Sequence, residues 1–135
     1  MKMTCSILHE ISKIEEETFS ANFESYKSSL LTVAKWKQSH STCPASLVTE
    51  VSQLQKSAPL STYRRLYYAV KLETPITSDS LISLSNDYFA GLRWVFSYYT
   101  AGVSSWSWFF AHSYAPFASD LAKFVTFFVS LGFDV

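Results

Sequence analysis

The stretch SDSLISLSNDYFAGLRWVFSYYTAG, Ser78 to Gly102, decides the fold class. Leu81, Leu84, Tyr88, Leu92, Val95 and Tyr99 recur at three- and four-residue steps. That spacing stacks side chains along one face of an α-helix. Ser78 or Asp79 stands where a cap belongs, just after Pro75, and Gly102 stands where the helix should stop, since glycine tolerates the left-handed backbone that closes helices. Arg93 and Trp94 lie on the flank of this helix.

The chain downstream, GVSSWSWFFAHSYAPFASD, is aromatic in a different rhythm. Trp106, Trp108 and Phe110 alternate with Ser105, Ser107 and Phe109, and period two describes an extended segment with one aromatic face. Two readings stand side by side. The segment is either a buried aromatic seam, with serines satisfying the indole N–H groups, or a platform on which a base, a sugar or a guanidinium stacks. From Trp94 to Ser119 no residue is formally charged, so a membrane span has to be weighed. Thr100, Gly102, Pro116, His112 and five serines between Ser97 and Ser113 argue against one, because backbone and hydroxyl groups would go unsatisfied in hydrocarbon.

Upstream, residues 3–38 carry a helical pattern, with Ile7, Ile11, Ile14 and Phe19 marking one face and Tyr26, Leu30, Leu31, Val33 and Ala34 continuing it to Trp36. The run Glu15–Glu17 reads as a solvated surface. A polar break at SHSTCP ends in Pro44, and a short amphipathic helix runs from Leu47 to Lys56. The segment KSAPLSTYRRLYYAVKLETP interleaves Lys56, Arg64, Arg65 and Lys71 with Tyr63, Tyr67 and Tyr68. It is either a helix with inward tyrosines and snorkelling cations, or a strip facing phosphate, which arginine binds in fork geometry.

At 135 residues, 48% hydrophobic and 17% aromatic, the chain is one domain with enough apolar surface for a core. Eleven basic and eleven acidic residues balance, which excludes a chain-wide electrostatic grip on nucleic acid but not a local patch. Three glycines leave no Gly-rich phosphate loop. Cys5 and Cys43 are read as reduced thiols, and His9, His40 and His112 have no partner at metal-ligand spacing. Asp79, Asp87 and Asp120 form no recognisable metal cluster, and no nucleophile motif is present. The residues alone describe a mainly α domain with an aromatic-rich surface or seam.

The run from Asp87 to Leu121, DYFAGLRWVFSYYTAGVSSWSWFFAHSYAPFASDL, resembles a signature segment of the XRN-type 5′→3′ exoribonucleases. The shared positions are Trp94, Tyr98, Tyr99, Gly102, Ser105, Trp106, Trp108, Phe109, Phe110, Tyr114, Ala115, Pro116, Ser119 and Asp120. YRRLYYAVK upstream is similar to the family's basic, double-tyrosine helix start. Together the two motifs cover about residues 61–121. The pattern departs at Ala111, His112, Ser113 and Tyr114, where the family's proline is lost and its histidine is displaced by one position, and at Thr100 and Ala101 before Gly102.

The resemblance implies a fold and a role. The fold is mainly α, a helical segment with an extended aromatic loop that belongs to a larger α/β nuclease; residues 1–60 are helical but unassigned, and 61–135 form the XRN-type region. The role is that of a segment of an RNA-degrading enzyme acting on single-stranded RNA with a 5′-monophosphate. In the family, Mg²⁺ is held by carboxylates in a longer N-terminal segment. The chain is therefore expected to be a fragment, a truncated product or a degenerate paralogue, with no catalytic or metal-binding residue of its own. Its partners would be RNA and the missing catalytic segment, and its setting intracellular, nuclear or cytoplasmic. Trp106, Trp108, His112 and Tyr114 are the stacking candidates. Arg64, Arg65 and Lys71 are the basic strip. Trp94, Tyr98, Tyr99, Gly102, Pro116 and Asp120 are structural. Phe109 and Tyr114 are expected to anchor the loop while Trp106 or Trp108 faces RNA. The alternative is a non-catalytic RNA-binding or protein-interaction module.

Overall fold

The computed structural model describes residues 2–131, which form six helices and no strand. They are α1 Lys2–Ala21, α2 Phe23–Ser39, α3 Ala45–Ser52, α4 Leu60–Lys71, α5 Ser78–Ala101 and α6 Ala118–Ser130. Among these residues no helix is long and apolar enough to cross a membrane.

The helical pattern over residues 3–38 is two helices, α1 and α2, broken at Asn22. Asn22 has φ −118° and ψ 23°, and its side chain donates to the Thr18 carbonyl at 3.0 Å. A short polar side chain that bonds nearby backbone competes with helical geometry. Backbone bonds from Asn22 to Thr18 and from Tyr26 to Asn22 still span the break, so it is a kink. The end of α2 lies in the predicted SHSTCP break. Ser41 adopts φ 60°, and the N–H groups of Ser41 and Thr42 turn back to the carbonyls of Gln38 and Lys37. That closure normally uses glycine, and a serine there costs about 1–2 kcal/mol of backbone strain. The next helix starts earlier than the sequence pattern suggests, at Ala45 directly after Pro44, and stops at Ser52. The start of α5 is capped by Thr77 rather than Ser78 or Asp79. Thr77 accepts from the Ser80 N–H at 3.2 Å, and the Ser80 hydroxyl accepts from the Thr77 N–H at 3.1 Å.

Two apolar clusters form. In the first, Leu30 and Ala34 of α2 meet Val51 of α3 and Tyr63, Leu66 and Val70 of α4. Lys37 ties the same helices together: its ammonium donates to the Val70 carbonyl at 2.7 Å and pairs with Glu73, placing a cation at the C-terminus of α4. In the second, Leu8 of α1 and Phe89 of α5 pack on Leu121, Phe124 and Val125 of α6. Each buried Leu or Phe contributes about 1.5–3 kcal/mol of transfer free energy.

Which face of α1 is buried differs from the sequence expectation. Of the expected set only Phe19 is buried, and Leu8 joins it, whereas Ile7, Ile11 and Ile14 are exposed. α6 covers the Leu8 side, whereas Ile11 and Ile14 border a cleft that α1 shares with α4. Glu15, expected on a solvated surface, is half-buried and accepts the Ser119 N–H at 3.0 Å. It thus satisfies an otherwise unpaired donor in the first turn of α6. On α5 the buried residues are Leu84, Ser85 and Phe89, while Val95 and Tyr99 face solvent.

Ser85 is 1% exposed, and its hydroxyl has no hydrogen-bond partner among the described residues. Ser85→Ala removes a desolvated hydroxyl and adds helix propensity, so it is expected to stabilise the chain by about 1 kcal/mol. The denaturant midpoint should rise at constant slope. A fall would mean that the hydroxyl does useful bonding in the native state.

Candidate functional site

The two clusters are bridged by residues 102–117, which follow Gly102 at φ 91°. This segment has neither helix nor ladder. Side chains fasten it instead. From Trp108 onward every second residue turns inward: Trp108, Phe110, His112 and Tyr114 are half-buried and Pro116 is buried, while residues 109, 111, 113 and 115 are exposed. Trp108 lies on α5 where a glycine leaves room, since a Cβ at Gly91 would stand 3.2 Å from the indole. Its ring stacks on Trp94 with centroids 6.1 Å apart, and Trp94 stacks in turn on Tyr98 at 5.7 Å. Phe110 meets Tyr88 edge to face at 5.9 Å, and the His112 Nε2 lies 3.0 Å from the Asp87 carboxylate.

Further along, the Lys71 ammonium sits 4.6 Å from the Tyr114 ring centroid and 5.2 Å from that of Tyr67. The Tyr67 hydroxyl donates to the Ala115 carbonyl at 2.7 Å. The loop therefore runs back along α5 and ends on α4.

Period two holds for this stretch and fails at its start. Ser105 makes a local turn: its hydroxyl accepts the Trp108 N–H at 3.1 Å, and its carbonyl accepts the Trp94 indole N–H at 3.0 Å. That turn shifts the register, so Trp106 does not share the face of Trp108 and Phe110. Trp106 is 90% exposed and Phe109 76% exposed. The expectation that Phe109 anchors the loop is corrected: Trp108 and Tyr114 are the anchors, and Phe109 points outward with Trp106. Both rings stand on a rigidly backed, uncharged segment. Tyr99 and Phe96 of α5 are also exposed.

The basic residues are held differently from one another. Arg64 is bidentate on Asp120, with Nε to Oδ2 at 2.9 Å and the second nitrogen on Oδ1. The Tyr68 hydroxyl also donates to Asp120 and accepts the Phe117 N–H at 3.0 Å. The hydrogen bond to Asp120 raises the Arg64 pKa further above its ordinary value. Arg65 pairs with Glu50 on the surface at 2.7 Å. Lys71 has no carboxylate partner among the described residues, and burial lowers its pKa. Arg93 was placed on the flank of α5 without a role. It is exposed, borders a shallow depression shared with Trp94, Ser104, Ser105 and Trp108, and forms no ion pair among the described residues. Only its position beside Trp94 in the sequence hinted at this.

No group of three or more Asp, Glu, His or Cys side chains among the described residues is arranged to hold a metal ion. Mg²⁺ asks for several hard oxygen ligands. Asp120 is committed to a guanidinium and a phenol, and Asp87 to a histidine. The residues present do not fit that ion.

The family model described as "Xrn1 helical domain" matches residues 14–134. The chain is 45% identical over 62 residues to the 5′-3′ exoribonuclease 1 of Saccharomyces cerevisiae, a match covering 45% of this chain and 4% of that protein. It is 37% identical over 65 residues to the human 5′-3′ exoribonuclease 1, covering 47% and 4%. A 5′-3′ exoribonuclease 2 of Cryptococcus neoformans is 41% identical over 59 residues, covering 43% and 5%. The chain thus spans a small part of the length of these relatives. No solved structure matches. With the family model extending over residues 14–134, well over half of its length, the chain belongs to the Xrn1 helical domain family.

Proposed function

We propose that this chain is the helical-domain part of a 5′→3′ exoribonuclease and contributes a stacking surface for single-stranded RNA. The observation that carries the reading is the outward pair Trp106 and Phe109 on a loop whose opposite side is fastened to α5. Aromatic faces stack on any base, which suits an enzyme that must move along RNA of any sequence. Arg93, uncommitted beside the loop, supplies a phosphate contact. In this reading the carboxylates that hold Mg²⁺ for hydrolysis belong to the longer N-terminal segment that the family resemblance implies, and this chain's share is holding RNA.

The test is fluorescence anisotropy of a labelled, 5′-monophosphorylated oligouridine titrated with the 135-residue chain at low salt. Trp106→Ala is expected to weaken binding about 5- to 150-fold, the equivalent of ~1–3 kcal/mol for one stacked base. The thermal melt should not move, because so exposed a ring contributes little to the fold. Binding equal to wild type in both Trp106→Ala and Phe109→Ala overturns the reading. A second reading, a non-catalytic protein-docking module, is favoured by Phe96 and Tyr99, whose side of α5 no described element covers. It is the reading that survives if RNA binding is absent.

A further inference from the structure

A cleft of about 460 Å³ lies between α1, α4 and the end of the loop, away from the outward face of Trp106. Its size falls in the roughly 300–1,000 Å³ range of small-molecule sites. Tyr63, Tyr67 and Phe117 form aromatic walls, and the exposed Ile11 and Ile14 stand at the mouth. Two polar groups border this apolar space. Lys71 brings an ammonium that no described carboxylate neutralises. Glu15 spends Oε1 on the Ser119 N–H, and its Oε2 makes no hydrogen bond among the described residues. Tyr63, 3% exposed as a residue, presents its ring to the cleft beside them.

A cation and a half-used carboxylate among aromatic walls ask for a flat ligand with an anionic group and an amino edge. We infer that this cleft binds a nucleoside monophosphate, its phosphate on Lys71, its base against the tyrosine walls and its exocyclic amino group on Glu15. The phosphate pairs with the ammonium as a point charge. A carboxylate accepts from the amino groups of adenine, guanine and cytosine but is repelled by the flanking carbonyls of uracil. The inference does not require RNA to stack on the loop. The cleft is lined by no tryptophan, so the two sites report through different residues.

Methyl NMR of Ile11 and Ile14 tests it, with AMP, GMP, UMP, adenosine and inorganic phosphate as probes on the 135-residue chain. AMP and GMP should displace both methyls saturably, through ring currents of the bound base. Adenosine, which lacks the phosphate, and Lys71→Met, which keeps the apolar stem, should each weaken the fit about 10- to 100-fold, the scale of a charged hydrogen bond. Glu15→Gln still offers Ser119 a carbonyl oxygen and should erase the preference over UMP. Trp106→Ala should leave these shifts unchanged. The inference is overturned if the methyls stay in place at millimolar AMP, if phosphate alone reproduces the shifts, or if Lys71→Met and Glu15→Gln both bind AMP as the wild type does.

Discussion

Asp120→Ala is expected to destabilise the chain by about 3–5 kcal/mol, lowering its melting temperature by roughly 10–15 °C. Its carboxylate is almost fully buried, at 2% exposure, and accepts from Arg64 and Tyr68 together. Removing it leaves the buried Tyr68 O–H without an acceptor and a half-buried guanidinium without its anion. Arg64 is 22% exposed and recovers some hydration, which puts the effect toward the lower end of that range. The loss also reaches the loop, because Tyr68 holds the Phe117 N–H through the same hydroxyl. A double-mutant cycle with Arg64→Met separates pair from packing. The double variant should cost clearly less than the sum of the single ones, since an absent pair leaves no unpaired charge. Denaturant titration that puts Asp120→Ala within 1 kcal/mol of wild type would show that the network contributes little.

The second large effect is alkaline. Burial pushes the phenols of Tyr63 and Tyr68 far above their ordinary value, with neighbouring tyrosines adding to the first and the bond to Asp120 to the second. Burial raises Tyr67 to about 12, with Tyr114 contributing. A folded pKa above the unfolded value means that the stabilisation is complete below the unfolded pKa, near 10, and is lost as pH climbs toward the folded one. Stability should therefore fall above about pH 10 by ~1.4 kcal/mol per pH unit for each of Tyr63 and Tyr68, which are nearly inaccessible, and by less for half-exposed Tyr67. Three of the eight tyrosines should ionise only as the chain unfolds, so tyrosinate absorbance and helical circular dichroism should change together in that last phase. A tyrosinate titration that completes with the helices intact would count against this packing.

Much of the fold is legible in the residues. The α5 periodicity, its stop at Gly102, the tyrosine-bearing α4 and the polar break after α2 all follow from spacing and capping chemistry. The burial of α1 does not. Leu8 competes with Ile7, Ile11 and Ile14 for the inner face, and helical spacing alone does not choose between them. The choice is made by α6, which arrives from more than a hundred residues away, with Ser119 bonding Glu15. Asn22 is likewise silent, because one asparagine in a helical pattern signals a kink only once both halves have packed. At the loop, the sequence names the aromatics but not their directions. Those depend on the turn that Ser105 makes, which throws Trp106 outward and Trp108 inward. In the sequence Arg64 reads as a cation for phosphate and Asp120 as a motif position, yet they pair with each other across 56 residues.

The missing Cβ at Gly91 carries a consequence for the history of such sequences. The edge of the Trp108 indole lies 3.2 Å from where that atom would stand, so an alanine at 91 has to push the indole outward by a few tenths of an ångström. A smaller side chain at 108 removes the conflict. Positions 91 and 108 therefore form one inherited character written at two places: in relatives that keep this loop, a bulkier residue at the first should travel with a lighter one at the second.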